Sequence, residues 1–223
     1  MEDLKKKLLN YDIIIFDLDD TLYKEIDFVK SAYIYINNFI SNRYEIDLSS
    51  EIELCLKSEI SFYDCIKTNF PEIKDFTIQK YLDLYRFHYP AISLSIDVSA
   101  FINKIMECNI EFSIITDGRS ISQRNKIKSL GISQSVKNVI ISEETGFEKP
   151  NLNNFKLLDK TYPNKNFVYI ADNTSKDFLA PNILKWNSIC LLDDGHNIHK
   201  QNFALDEGYL PKKIIKSFKE LML

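Results

Sequence analysis

A parallel sheet covered by helices on both faces, a three-layer α/β/α fold with a helical insertion, is the fold class that this chain of 223 residues predicts. Three observations carry it. From about residue 95 onward, short β-branched apolar runs alternate with stretches of helical periodicity, the pattern of βαβ crossovers. The first such run, residues 11–17, is apolar almost without a break and ends in carboxylates, which suits a strand buried on both faces. Between residues 24 and 87 the alternation stops; apolar residues fall at helical spacing and no hairpin turn intervenes.

The elements follow in order. After the first strand, Phe28, Ala32, Tyr35, Ile36 and Phe39, then Ile52, Leu56, Ile60 and Tyr63, then Ile78, Leu82 and Tyr85 predict three or four helices packed on one another, with Pro71 and Pro90 as breaks. A helix over 98–108 precedes a strand over 110–116. A helix over 121–130 ends at Gly131, a residue suited to the left-handed position past a helix end. A short strand at 139–142 comes next, then a helix over 152–162 behind Pro150. The strand Phe167–Ala171 is followed by a helix around 178–185 and a strand over 189–192. Finally Pro211 stands where a helix would begin, and Ile214, Ile215, Phe218 and Leu221 predict one apolar helical face. The expected division is residues 1–23 with 91–223 as the α/β core, and residues 24–90 as an inserted helical domain.

Composition narrows the class. With 45% hydrophobic and 27% charged residues, and only 5 Gly and 6 Pro, the chain falls among globular proteins and away from disordered ones. A chain this long buries about 70% of the surface its unfolded form exposes, so no disulfide or structural metal is needed. The net charge of −4 argues against a nucleic-acid partner, which needs a clustered Lys/Arg surplus. Residues 1–9 carry charges without an apolar run of signal-peptide length. The apolar run Ile13–Phe16 is far short of the about 20 residues that span a membrane. Cys55, Cys65, Cys108 and Cys190 form no CxxC pair, so buried thiols in a reducing cytoplasm are expected.

Four segments sit just after predicted strands, at the sheet edge where open parallel sheets collect their chemistry. In the first, Asp17 and Asp19 flank Leu18. Carboxylates held this close repel, so one takes a proton or a cation sits between them. Oxygen-only ligands with room for water suit Mg²⁺, and Asp172 and Asp177 in the fourth segment supply further oxygens. A metal held by Asp17 and Asp172 would leave Asp17 free to attack phosphorus. Asp19 is then placed to protonate a leaving oxygen and later to activate water. In the second segment Thr116, with the N–H groups of Asp117 and Gly118, can cradle phosphate oxygens. In the third, Lys149 stands before Pro150 at a predicted helix start, where a cation is poorly matched to the helix dipole and better offsets carboxylates and a phosphoryl group. Each segment alone fits a blander reading, as a turn or a helix cap.

Taken together, Asp17-x-Asp19-x-Thr21, Thr116, Lys149 and Asp172…Asp177 resemble the four sequence motifs of the haloacid dehalogenase-like hydrolases, in order and across the whole α/β core. Leu130-Gly131-Ile132 and residues 142–150 also look like the family, and the helical insertion is similar to its type-one cap. The resemblance implies a Rossmann-like core working through an aspartyl-phosphate with Mg²⁺. Asp17 would be the nucleophile and Asp19 the general acid/base. Thr116 and Lys149 would bind the phosphoryl group, with Thr21, Asp117, Gly118 and Arg119 around it. Mg²⁺ would be held by Asp17, the backbone carbonyl of Asp19 and Asp172, with Asp177 orienting a metal water or Lys149. Two departures are Ala171, where the family often has Gly, and Asn173, which is not acidic. Asp19 separates this chain from the dehalogenases, because expelling an alkoxide needs a proton and expelling halide does not.

The activity implied is a phosphatase acting on a small phosphorylated molecule, a sugar phosphate or a nucleoside monophosphate. A phosphomutase shares every core residue, and a non-catalytic phosphate-binding module shares the fold; the intact Asp17/Asp19 pair speaks against the second. Arg43, Lys57, Lys67, Lys74, Arg86 and His88 are the insertion's candidates for gripping substrate, and Arg124 lies beside the second motif. His196 and His199 share helical spacing without an acidic or Cys partner.

Overall fold

Strands β1 (Ile13–Phe16), β2 (Glu111–Thr116), β3 (Val139–Ile141), β4 (Phe167–Ala171), β5 (Asn187–Leu191) and β6 (Lys213–Ile215) form one sheet in the order β3-β2-β1-β4-β5-β6. Every neighbouring pair is parallel. These are features of the computed structural model, which describes residues 11–58 and 60–222; the reading of residues 1–9 lies outside them.

The apolar runs are continuous because both faces of the sheet are covered. Ile14, Phe16, Phe112, Ile114, Val168 and Ile170 join one buried cluster with residues of α5 (Ile96–Glu107) and α6 (Ser120–Ser129), among them Phe101 and Ile127. Ile13, Ile15, Ile115, Tyr169 and Ala171 point the other way, into a cluster with Phe155 and Leu158 of α8 (Leu152–Thr161). The period of two within each strand therefore builds two cores back to back. Each fully buried Ile or Phe contributes about 1.5–3 kcal/mol. A four-residue helix α7 (Ser142–Thr145) follows β3, and the short α9 (Leu179–Ile183) precedes β5.

The helices of residues 24–90 are α1 (Glu25–Tyr44), α2 (Ser49–Lys57), α3 (Phe62–Asn69) and α4 (Ile78–Phe87). They bury a third cluster of their own, including Ile36, Ile40, Ile52, Phe62, Ile66 and Phe76. Ser61, Thr77, Ser95 and Asn151 cap α3, α4, α5 and α8, each accepting a hydrogen bond from a backbone N–H of the first turn. The insertion leans on the core through α6: Ser122 Oγ donates to the carbonyl of Arg86 at 2.8 Å, and Asn125 to that of His88 at 3.2 Å. Gly131 takes φ 74°, the left-handed conformation expected past α6.

Two expectations are corrected. The helix predicted after Pro211 is instead the edge strand β6, followed by a 3₁₀ turn over Phe218–Leu221. Ile214 is half exposed while its neighbour Ile215 is buried, so the two do not share the single apolar face expected. Free hydrogen-bonding groups on β5 and two adjacent β-branched residues favour pairing there, and Ile214 lies opposite Cys190. The histidines at 196 and 199 lie in an irregular loop, so their helical spacing has no structural meaning. Among the described residues no helix is long and apolar enough to cross a membrane.

Candidate active site

Strand register builds the site. Phe16 lies beside Ile114 on one flank and Ile170 on the other, so Thr116 and Asp172, two residues further on, emerge at the same carboxyl edge as Asp17. Here the strand order turns outward from β1 and β4, the crevice where open sheets bind ligands. Asp17 extends β1 by one bond, its N–H donating to Ile170 O at 2.9 Å. Asp20 then takes φ 54°, which Asp accepts more readily than most residues. Its carboxylate receives the N–H of Glu25 at 2.9 Å and of Ile198 at 3.0 Å, tying the turn to the start of α1 and to the loop after β5.

Charge is packed unevenly at this edge. The Lys149 ammonium lies 2.7 Å from both Asp17 and Asp177, in ion pairs shut off from water. Asp172 receives the Thr21 hydroxyl at 3.4 Å and the Asn197 amide at 3.0 Å. Carboxylate oxygens of Asp17, Asp172 and Asp177 all lie within 4.8 Å of one another. Three buried carboxylates share one fully buried ammonium. Burial, with Asp177 and Asp17 beside it, pushes Asp172 up to about 9. Burial also pushes Asp17 up to about 7, outweighing the pull of Lys149. Burial opposes the Lys149 charge, but Asp17 and Asp177 hold its pKa well above the usual lysine range. A cluster short of positive charge, built only from carboxylate oxygens, fits a hard divalent cation such as Mg²⁺.

Asp19 faces a different set of groups. Oδ1 receives Lys126 Nζ at 2.7 Å together with the Tyr23 hydroxyl, and Oδ2 receives Gln123 Nε2 at 2.9 Å. Burial alone would raise its pKa; Lys126 first, then Gln123 and Tyr23, more than offset this and hold it below the usual carboxylate range.

The remaining candidates divide. Thr116 is buried, its hydroxyl oxygen receiving Gln123 Nε2 at 2.7 Å. The Asp117 carboxylate accepts from Lys149 N–H and Lys176 Nζ, both at 3.1 Å, so this side chain pins two lysine-bearing segments. The Gly118 N–H is already engaged by Ser142 Oγ at 2.9 Å. Arg119 is not brought to the site: its guanidinium pairs with Glu143 at 2.7 Å on the surface, and Arg124 pairs likewise with Glu144. Lys149 lies, as expected, just ahead of α8, whose cap is Asn151. Of the insertion's candidates, Arg43 pairs with Asp75, Lys67 donates to the Ile73 carbonyl, and His88 is buried with Nδ1 on Tyr85 O.

Between Asp17, Asp19, Glu25, Thr116, Asp172 and Lys176 is a polar space of about 90 Å³. Burial and the neighbouring Asp19 push the Glu25 carboxyl there up to about 8. A larger crevice of about 280 Å³ opens between Tyr23, Lys24, Ser95 and Phe218, but it holds no member of the carboxylate cluster. Chemistry, not volume, marks the site. Lys126, Gln123, Tyr23, Lys176 and Asn197 are not among the residues that the sequence singles out for the site. For Gln123 and Lys126 a signal existed: they are three apart on a helix that starts just after Thr116, and so share a face.

Comparison with known proteins gives the family. A family model for haloacid dehalogenase-like hydrolases matches residues 14–187, and the chain belongs to that family. It is an enzyme of the hydrolase class. A protein named glyceraldehyde 3-phosphate phosphatase from Methanocaldococcus jannaschii is 30% identical over 179 residues, covering 74% of this chain and 77% of that one. Among solved structures, the HAD-hydrolase YfnB from Bacillus subtilis bound to magnesium superimposes with a TM-score of 0.60 at 18% identity, covering 95% and 96% of the two chains. A HAD family hydrolase from Deinococcus radiodurans with bound phosphate and sodium gives 0.61 at 14% identity, covering 95% and 93%. At those identities the likeness is one of fold.

Proposed function

We propose that this protein is a phosphatase hydrolysing a small organic phosphomonoester, a sugar phosphate or nucleoside monophosphate, through an aspartyl-phosphate on Asp17. One observation carries the reading: Asp17 shares a buried ammonium with Asp177 beside Asp172, while Asp19, two residues on, answers to separate donors. Two neighbouring carboxylates in different surroundings suit two different tasks. Family membership supports the hydrolase chemistry, and the name of the archaeal relative supports a sugar phosphate.

In this mechanism an oxygen of Asp17 bonds to phosphorus as the bond to the leaving oxygen breaks, and Asp19 gives that oxygen a proton. Asp19 is ionised at rest; a phosphate dianion arriving beside it raises its pKa by like-charge repulsion, so it takes up a proton from solvent before passing it to the leaving oxygen. Asp19 then takes a proton from the water that attacks the acyl phosphate, releasing phosphate and restoring Asp17. Lys149 and the Thr116 hydroxyl balance charge on the phosphoryl oxygens. Asp17, Asp172 and the backbone carbonyl of Asp19 would hold Mg²⁺, with Asp177 keeping Lys149 in place; the ion supplies charge neutralisation at the phosphate when bound.

Activity is expected to require Mg²⁺, with Ca²⁺ a poor substitute because its looser, higher coordination draws both oxygens of Asp17 away from attack. A stability signature accompanies this. Burial pushes the Asp17 and Asp172 carboxyls up to about 7 and about 9 in the folded chain, against about 4 when unfolded. Between those values the folded state binds more protons than the unfolded one, so stability without divalent ions falls as pH rises through that window. Added Mg²⁺ therefore raises the melting temperature more at pH 8 than at pH 5. Full activity in excess chelator would sink the metal's role.

Residues 24–90 act, in the same reading, as a lid hinged near residues 23–25 and 90–95, because an insertion leaving directly after Asp17 and Asp19 overhangs the site. The test is a panel of phosphorylated metabolites and a phosphopeptide, run on the whole protein and on one with the insertion replaced by a short linker. Metabolites are expected to outrun the phosphopeptide, and the linker variant to lose the ranking among them. An unchanged ranking, or preference for the phosphopeptide, overturns it.

A further inference from the structure

We infer that Lys126 and Gln123 of α6 are positioning residues that hold the carboxylate of Asp19 in line for proton transfer, an inference that rests on the phosphatase reading above. The two side chains grip opposite oxygens. Lys126 Nζ lies 2.7 Å from Oδ1 and Gln123 Nε2 lies 2.9 Å from Oδ2, so rotation about the Asp19 side chain breaks one contact or both. Lys126 is only 5% exposed, and its ammonium sits 4.2 Å from the ring centre of Phe28 and 6.0 Å from that of Tyr23. Water has little access to loosen this ion pair. Lys126 thus reaches from the core helix α6 to Asp19 while resting on the first helix of the insertion.

Gln123 is built into the same frame. Its Nε2 also lies 2.7 Å from Thr116 Oγ1 and 2.7 Å from Asp117 O, so one amide nitrogen links Asp19 to the end of β2. Its Oε1 is buried and meets no donor. The opposite orientation of the amide would set an oxygen against three oxygens, so the nitrogen's contacts decide the pose and the orphaned oxygen bears the cost. The chain makes room for it. Gly118 takes φ 131°, and a Cβ there would come within 3.3 Å of Gln123 Nε2 and 3.4 Å of its Cδ. None of these groups reaches the phosphorus in the mechanism above; Lys126 acts through Asp19, and Gln123 through Asp19 and the Thr116 hydroxyl.

Leaving-group dependence separates positioning from mere structural support. Alkyl phosphates need the proton that Asp19 delivers, whereas aryl phosphates hardly do. The experiment compares kcat/KM for glycerol phosphate and 4-nitrophenyl phosphate in the full-length wild type, Lys126→Met, Asp19→Asn and the double variant, with melting temperatures alongside. Lys126→Met is expected to lose about 10- to 100-fold on the alkyl substrate, part of what positioned proton transfer contributes, and no more than about threefold on the aryl one. In the Asp19→Asn background it should cost almost nothing further, because residues acting as a unit are not additive. Equal losses on both substrates, or a loss that multiplies with that of Asp19→Asn, overturn the inference. Should Lys126→Met fail to fold, Gln123→Leu keeps the ion pair, frees Oδ2 together with Thr116 Oγ1 and Asp117 O, and is judged by whether its loss on the alkyl substrate exceeds its loss on the aryl one. A wild type inactive on every phosphomonoester defeats the phosphatase reading itself, while an active wild type with variants indifferent to the leaving group defeats this inference only.

Discussion

Asp17→Asn is expected to abolish turnover of every phosphomonoester while leaving the protein folded and no less heat-stable than the parent. The amide cannot form an acyl phosphate, and neither neighbouring carboxylate is placed to replace it: Asp177 is committed to Lys149 and to the N–H of Asn173, and Asp172 to Thr21 and Asn197. Stability moves the other way. In the substrate-free chain Asp17, Asp172 and Asp177 crowd one ammonium, and burial already pushes Asp17 up to about 7. A neutral amide removes one desolvated charge and two repulsions. Losing one partner of a buried pair is usually costly because it strands the other, but Lys149 keeps Asp177 at 2.7 Å. A higher melting temperature bought with lost activity is what a strained site predicts. The direct measurement is acid quenching with labelled substrate: the parent traps acid-stable, base-labile label and the variant traps none. Label on Asp17→Asn, or turnover above about 1% of the parent, would place the nucleophile elsewhere.

The residues that the sequence made legible and those it hid differ in a physical way. Asp17, Asp172 and Thr116 were readable because each ends a buried strand, and a parallel sheet delivers all such ends to one edge whatever the intervening helices do. Strands were readable for the same reason: with both faces covered, β1 and β4 are apolar throughout and β2 is buried from Phe112 on. Side-chain direction was not. Arg119 adjoins the phosphate motif in sequence yet turns outward to Glu143, whereas Lys126, seven residues later, returns to Asp19. Which face of α6 meets the site depends on how that helix packs, and packing is a tertiary fact. The end of the chain misled for a related reason. Ile214, Ile215, Phe218 and Leu221 fit a helical stripe, but the free edge of β5 offered pairing that spacing alone cannot reveal.

Replacing Asp19 by asparagine is expected to cost about 10²–10⁴-fold in kcat/KM on alkyl phosphates, the usual worth of a positioned acid/base, and much less in kcat/KM on aryl phosphates. An aryl oxide leaves without help, so the first step survives the loss of the proton donor. The second step still suffers, since no base remains to activate water; label trapped on Asp17 should therefore accumulate with aryl substrates and be scarce with alkyl ones. The geometry makes the comparison clean. Asparagine keeps an oxygen for Lys126 and for Tyr23, while its amide nitrogen faces the Gln123 Nε2 donor and that hydrogen bond is lost. Charge changes too. Lys126 loses the carboxylate that balances it in a site only 5% exposed, so some stability is lost as well, and melting temperature must be recorded beside the rates. Rates on the two substrate classes share that stability loss equally, so a difference between them reads the proton alone. Equal losses on alkyl and aryl phosphates, or no accumulation of the labelled intermediate, would take the acid/base role away from Asp19.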